Sequence, residues 1–468
     1  MRLLAFGILR FAIIDKIARF NASLGGCLGC LFYCGVLWSV YMRLLFSAKT
    51  AYNAHHLCQK RVQMHYTLKN KDRNVLEFEV LNEGKNLHFK VLNEALLPYY
   101  IRVNEVSEKH ILRWLRKRKI PDSRCFADTI LNALEGGLKA DTQNPLAYLD
   151  TTFALSLKDS FWVVPTDKAH FYRWADFNLF ENEFNPTLQV IAITGVIAQT
   201  QGQILSPEPT TDGTLKKCWR RSAKGIELVK GTGDDDRRFI TAREPLCEYY
   251  SPQVAQAMGL DCVVYGLEKG IKEWKFSKER YSTCPLFTSQ EVGFLAIWEC
   301  LPYEVLRGKF DYEKMKQAIE SIMGVQAFSD LMLFDAIIAN EDRHLGNYGM
   351  LVDNDTNKLI RPAPIFDNGS AFFNYIRGYS GGGFAKYFRL THDYFRSYFN
   401  YRFDKLVAMH ATPRHLDLCD TLQDFTFTPH PRYRPKKSLV KACSEVVRQR
   451  AKDAKRVIDK TLKRKDRA

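Results

Sequence analysis

Apolar and polar residues alternate in Val75-Leu76-Glu77-Phe78-Glu79-Val80 and again in Leu87-His88-Phe89-Lys90-Val91, with Asn82–Asn86 between them. This pattern predicts a β-hairpin. Three- and four-residue spacing of apolar positions predicts helices over 105–119 and 123–134, broken and capped by Pro121-Asp122-Ser123. From about Gly195 to Leu267 short strands with turns are expected, and from about Thr288 the pattern is largely helical. Strands followed by helices predict an α+β fold with two lobes and a ligand-binding cleft between them. The chain ends on Leu439, Cys443, Val446, Val447, Ala451, Ala454, Ile458 and Leu462 at helical spacing among Lys and Arg, a basic amphipathic helix expected to pack on the body. The pattern divides the chain into an apolar extension (1–63), an α/β accessory region (64–194), a strand-rich lobe (195–275), a helical lobe (276–430) and the basic helix (431–468).

Leu24–Met42 carries no charge and is bounded by Arg19 and Arg43, close to the length that crosses a hydrocarbon layer. A membrane anchor, a buried core helix and an over-extended start, with Met42 or Met64 as the true first residue, all fit it. The composition is globular, with 46% hydrophobic residues, which excludes disorder. The net charge of +16 belongs to the ends: residues 1–50 are net +5 and residues 431–468 net +11, so 51–430 is neutral. Nucleic acid is therefore not an expected partner of the isolated chain. The cluster Arg113–Lys119 fits the solvated face of a helix better than a phosphate grip. Most of the twelve cysteines stand singly, which fits a reducing, cytoplasmic setting. Cys27, Cys30 and Cys34 lack a fourth ligand for a metal.

The chemistry concentrates after the helical run Phe328–Ile338, whose apolar stripe is interrupted by Asp335. A loop then carries Asp342 and Asn347, and strands expected over 348–352 and 358–366, joined by the turn Asp353–Asn357, end at Asp367-Asn368-Gly369. Oxygen-bearing side chains from Asp342, Asn347 and Asp367, brought together by the loop and the hairpin, suit Mg2+, which keeps waters and shares its remaining positions with nucleotide phosphates. Asp-x-x-x-x-Asn followed by Asp-x-Gly is the spacing of phosphoryl transfer, in which an Asp orients the attacking hydroxyl. The strand Gly225–Lys230 ends in a cation, and Glu248 follows eighteen residues later as its partner, with Glu244 as the alternative because Pro252 blurs the helix start. Ser206–Gly213 lies upstream as a turn between strands whose backbone N–H groups would cover phosphates.

In this order, the motifs over 200–420 resemble the HipA-like serine/threonine kinases. The residues that carry the likeness are Ser206-Pro-Glu-Pro-Thr-Thr-Asp-Gly213, Glu227-Leu-Val-Lys230, Glu248-Tyr-Tyr with Met258-Gly-Leu260, Ile338–His344 with Asn347, and Ala363–Gly369. The resemblance implies a two-lobed protein-kinase-like fold and transfer from ATP and Mg2+ to a Ser or Thr of a protein substrate. It makes Asp342 catalytic, Asn347 and Asp367 metal ligands, Lys230 a phosphate contact held by Glu248, and Ser206, Thr210, Thr211 and Gly213 parts of the phosphate loop. Self-phosphorylation at Ser206, Thr210, Thr211 or Thr214 and an antitoxin-like partner are implied as well. Two rivals remain: a pseudokinase-type nucleotide- or partner-binding module, and a DNA-associated toxin–antitoxin regulator.

Overall fold

The computed structural model describes residues 64–134, 146, 148–200, 204–232, 243–270, 280–307, 309–373, 383–433 and 435–467. These belong to one unit, Met64–Ala468. The stretch Leu24–Met42 and Cys27, Cys30 and Cys34 lie outside the described residues.

The expected hairpin forms as β2 (Arg73–Leu81) and β3 (Asn86–Val91), with Leu76, Phe78 and Val80 opposite Val91, Phe89 and Leu87. It belongs to a larger antiparallel sheet ordered β3-β2-β1-β4, in which β1 (Met64–Asn70) lies between β2 and a later strand, β4 (Phe161–Pro165). Helices of seven or more residues are numbered in chain order. Between β3 and β4 stand α1 (Glu108–Arg116) and α2 (Ala127–Leu134), near the expected positions. Of the basic cluster at the end of α1, Arg116 and Lys117 are exposed, as a solvated face requires, whereas Arg118 is turned inward. Arg118 is buried in an ion pair with Asp159 (2.6 Å) and lies over the Trp114 ring, and Arg116 donates to the Gly84 carbonyl.

After α3 (Pro186–Thr194), capped by the Asn185 side chain, comes the second antiparallel sheet. Its order is β5-β6-β8-β7, from β5 (Lys217–Ser222), β6 (Gly225–Lys230), β7 (Gly266–Lys269) and β8 (Arg280–Pro285), and α4 (Glu244–Ala257) packs against β7 and β8. The third sheet joins β9 (Val292–Ala296) to β10 and β11, which follow α5 (Tyr312–Met323) and α6 (Val325–Ile338). Here β10 is Gly349–Asp353 and β11 Leu359–Pro362. The strand expected to reach Phe366 stops early because Pro362 and Pro364 have no N–H for the ladder. Ile365 instead bridges to Cys262.

Among the described residues no single helix is long and apolar enough to cross a membrane. The one helix pair that passes together, α5 with α6, bends by 118° at Gly324, whose φ of +85° suits glycine. The largest core gathers Phe328, Phe334, Ile337 and Ile338 of α6 with Val446, Val447, Ala451 and Ile458 of the terminal helix. The segments α7 (Gly383–Arg389), α8 (Phe403–Met409) and α9 (Arg414–Asp420) precede that helix, α10 (Lys437–Lys465). Arg450 of α10 is buried and donates to the Ala336 carbonyl at 2.7 Å, so the basic helix packs on the body as its periodicity predicts.

The turn Asp353–Asn357 is more than a hairpin connection. Asp353 Oδ1 accepts the N–H groups of Asp355 and Thr356, an Asx turn. Its outer side is gripped by the first sheet region: Asn70 donates to Asn354 O (3.0 Å), Lys71 pairs with Asp355 (2.9 Å), and Arg102 donates to Asn357 O (2.7 Å).

Candidate active site

Helix α6 is the buried rod on which the loop is mounted. It ends at Ala339, whose φ of +55° turns the chain sharply, and the Asn340 N–H returns to the Asp335 carbonyl (3.0 Å). Asp335, the polar interruption of the stripe, is buried and accepts Arg343 Nε (3.0 Å), Arg343 Nη2 (2.9 Å) and Asn340 Nδ2 (3.1 Å). The same guanidinium donates to Asn347 O (3.0 Å), Phe366 O and Asn368 Oδ1 (2.6 Å). Arg343 therefore fixes the loop carrying Asp342 and Asn347 to the segment carrying Asp367.

Asp342 accepts the His344 N–H and Asn347 Nδ2 on its backbone carbonyl, both at 2.8 Å. Burial pushes its carboxyl above the usual carboxylate range, with the Asp367 charge adding to this and His344, Lys230 and Arg343 opposing it. Asn347 is buried, and with Nδ2 engaged its Oδ1 is the atom left for a cation. Among the described residues no group of three or more His, Cys, Asp or Glu is placed to hold a metal ion.

Lys230, at the end of β6, reaches Glu248 Oε1 at 2.5 Å and also Asp367 Oδ1. Helix α4 starts at Glu244 and runs through Pro252, so Glu244 and Glu248 lie one turn apart on it. Glu248 makes the contact; Glu244 is buried, and its Oε2 has no hydrogen-bond partner. The second oxygen of Glu248 accepts the Asn368 N–H at 2.8 Å, and the Asp367 N–H donates to the Tyr265 hydroxyl at 3.2 Å. Burial disfavours the Lys230 charge, but Asp367 and Glu248 outweigh it and hold the amine protonated. Burial likewise opposes ionisation of Asp367, and Lys230 and Lys217 outweigh it, holding the carboxyl well below its ordinary range.

The loop departs from expectation. Among the described residues the element before it is the helix α3 rather than a strand, so it is not a turn between paired strands. Ser206 and Thr210 are buried, and Thr210 Oγ1 donates to Leu155 O at 2.6 Å. Thr211 is half-buried and accepts Trp219 Nε1 at 3.0 Å, whereas Thr214 is exposed. Gly213, at φ +93°, leaves room for the Lys217 amine, which a Cβ there would meet at 2.2 Å.

Lys217, like Arg343, is a residue of this site to which the sequence reading gave no role. It pairs with Lys230 across β5 and β6, so both side chains share one sheet face, and both are buried. Its Nζ donates to Asp212 O at 2.7 Å, and among the described residues it forms no ion pair. Burial, then Lys230 and Arg124, pull its amine down to about 7, against Asp367 and Asp212. The signal was the doublet Lys216-Lys217 opening a strand opposite Lys230.

No family model and no curated protein matches the chain. Solved structures that are similar to it include two from bacteria. One is the Helicobacter pylori proinflammatory kinase CtkA, at 15% identity over 53% of this chain and 93% of that one, with a TM-score of 0.40. The other is a chain of the Shewanella oneidensis MR-1 toxin–antitoxin complex of HipA, HipB and operator DNA, at 11% identity over 84% of this chain and 99% of that one, with a TM-score of 0.46.

Proposed function

We propose that this protein is a two-lobed, HipA-like kinase that transfers the γ-phosphoryl group of ATP to a Ser or Thr hydroxyl of a protein. The observation that carries the reading is the joint placement of Lys230, Glu248 and Asp367, tied through Arg343 to the loop of Asp342 and Asn347.

Lys230 and Lys217 would contact the phosphates, with Glu248 fixing Lys230. Asp342 would orient the acceptor hydroxyl and take its proton as the new O–P bond forms and the bond to the β–γ bridging oxygen breaks. Burial raises its proton affinity, which suits that step. Asn347 Oδ1 and Asp367 Oδ2 suit Mg2+ completed by phosphate oxygens. The metal would neutralise charge developing on the phosphates. Of the loop hydroxyls considered for self-phosphorylation, Thr214 is the exposed one.

The test is a melting curve of the full chain with Mg-ATP, and with ATP plus a chelator, alongside transfer from γ-labelled ATP. Mg-ATP raises the melting temperature more than chelated ATP, and label appears on protein. Equal shifts, or none, overturn the reading; a shift without label favours the nucleotide-binding module.

A further inference from the structure

The segment Leu205–Thr214 takes its shape from the accessory region. Its carbonyls at Leu205, Pro209 and Thr214 accept the N–H groups of Asn185 (2.8 Å), Ile120 (2.7 Å) and Cys125 (2.8 Å). Arg124 is central to this arrangement. Its Nη1 donates to Thr211 O (3.0 Å), and its Nη2 to Lys217 O (2.5 Å) and Glu208 Oε2 (3.4 Å). Glu208 Oε1 in turn accepts the Trp219 N–H at 2.9 Å. The side chains of Arg124 and Glu208 are both 0% exposed.

Such a pair is a poor source of stability. Arg124 Nε has no hydrogen-bond partner. Burial pushes the Glu208 carboxyl up to about 7 and pulls the guanidinium down. Apolar side chains of equal volume would pack here at lower cost. What they would not do is hold a loop at several points at once, and a planar fork does so at Glu208, Thr211 and Lys217.

We propose that Arg124 is a positioning residue, which from the accessory region holds the Glu208–Lys217 segment in the shape that receives the phosphates of the nucleotide. The proposal rests on the kinase reading and extends it: the accessory region completes the nucleotide site. Adenosine, lacking phosphates, has no need of this segment, so the two ligands separate the role of Arg124 from general stability.

The experiment measures dissociation constants of Mg-ATP and adenosine for the full chain and its Arg124→Lys and Arg124→Gln variants, with amide hydrogen exchange over 206–217. Arg124→Lys weakens Mg-ATP by about tenfold, or ~1.4 kcal/mol, roughly the entropy of re-ordering one residue. Adenosine binding stays within about twofold, and exchange in the loop accelerates while that of α6 does not. Should Arg124→Gln fail to fold, Arg124→Lys, which keeps charge and stem, decides. Given a wild type that binds Mg-ATP, an ATP-to-adenosine affinity ratio unchanged in the variants, whether both affinities hold or fall together, or unaltered loop exchange, overturns this proposal alone. A wild type that binds neither ligand overturns the kinase reading and this proposal with it.

Discussion

Asn368 donates its backbone N–H to Glu248 Oε2 at 2.8 Å while Glu248 Oε1 holds Lys230 at 2.5 Å. One carboxylate thus sets both the cation and the peptide unit beside Asp367. Glu248→Ala frees both, and Lys230→Met removes the cation directly; each is expected to lower transfer by about a hundredfold or more. The double variant should lose little beyond the worse single one, measured as initial rates with γ-labelled ATP. Multiplicative losses would show that the two side chains act separately.

Asp342→Asn keeps the loop contacts made by the backbone carbonyl. It should leave the dissociation constant of Mg-ATP within a few-fold and reduce transfer by roughly 10²–10⁴, the range for a lost general base. Wild-type labelling by this variant would remove Asp342 from the chemistry.

Lys217 is expected to trade stability for binding. Its folded-state pKa of about 7 lies below its ordinary 10.5, so between these values the unfolded chain binds the extra proton and stability rises with pH. Lys217→Met should abolish that rise, raise the melting temperature at pH 6–7 by a few degrees, and weaken Mg-ATP by about tenfold or more. Scanning calorimetry across pH and a binding isotherm check both halves; a variant that melts lower at pH 6 would contradict the first.

Asp335→Ala leaves the buried Arg343 guanidinium without its carboxylate. The expected cost is about 3–5 kcal/mol, read as a lower midpoint in urea, with phosphate transfer falling because Arg343 no longer ties Asn347 to Asn368. Asp335→Asn, which retains acceptors, should cost less.

The parts that follow a local period were legible in the sequence. The β2–β3 hairpin, α1, α2, α6 and the terminal helix lie near their predicted positions because alternation and helical stripes decide which face is buried. Lys230, Asp342, Asn347 and Asp367 were singled out by spacing because each sits at the end of a periodic element or just beyond it, and Glu248 because it follows Lys230 on the next helix; the structure brings Lys230, Glu248 and Asp367 into contact. Geometry settled Glu248 over Glu244, because only side-chain reach separates residues one helical turn apart. Long-range pairing was not legible: β1 and β4 close the first sheet across about 90 residues of sequence, and no local signal announces a strand's partner. Ser206 and Thr210 were read as phosphate-loop hydroxyls, and their burial against the accessory region follows from contacts that spacing does not encode. Arg124 and Arg343 were missed for the same reason, and Lys217 because the Lys216-Lys217 doublet does not say which strand it faces.

The turn Asp353–Asn357 gives the chain a property that its division into successive regions conceals. Asn70 and Asn354 meet across 284 positions of sequence, and Lys71 and Arg102 fasten the same turn. The hairpin leading to Asp367 is therefore riveted to the first strands of the accessory region. Such a protein is not modular: neither part can be exchanged like a cassette, because each presents half of a shared joint. One cooperative melting transition over Met64–Ala468, rather than two, is the signature of that indivisibility, and contacts of such sequence separation make slow refolding the accompanying one.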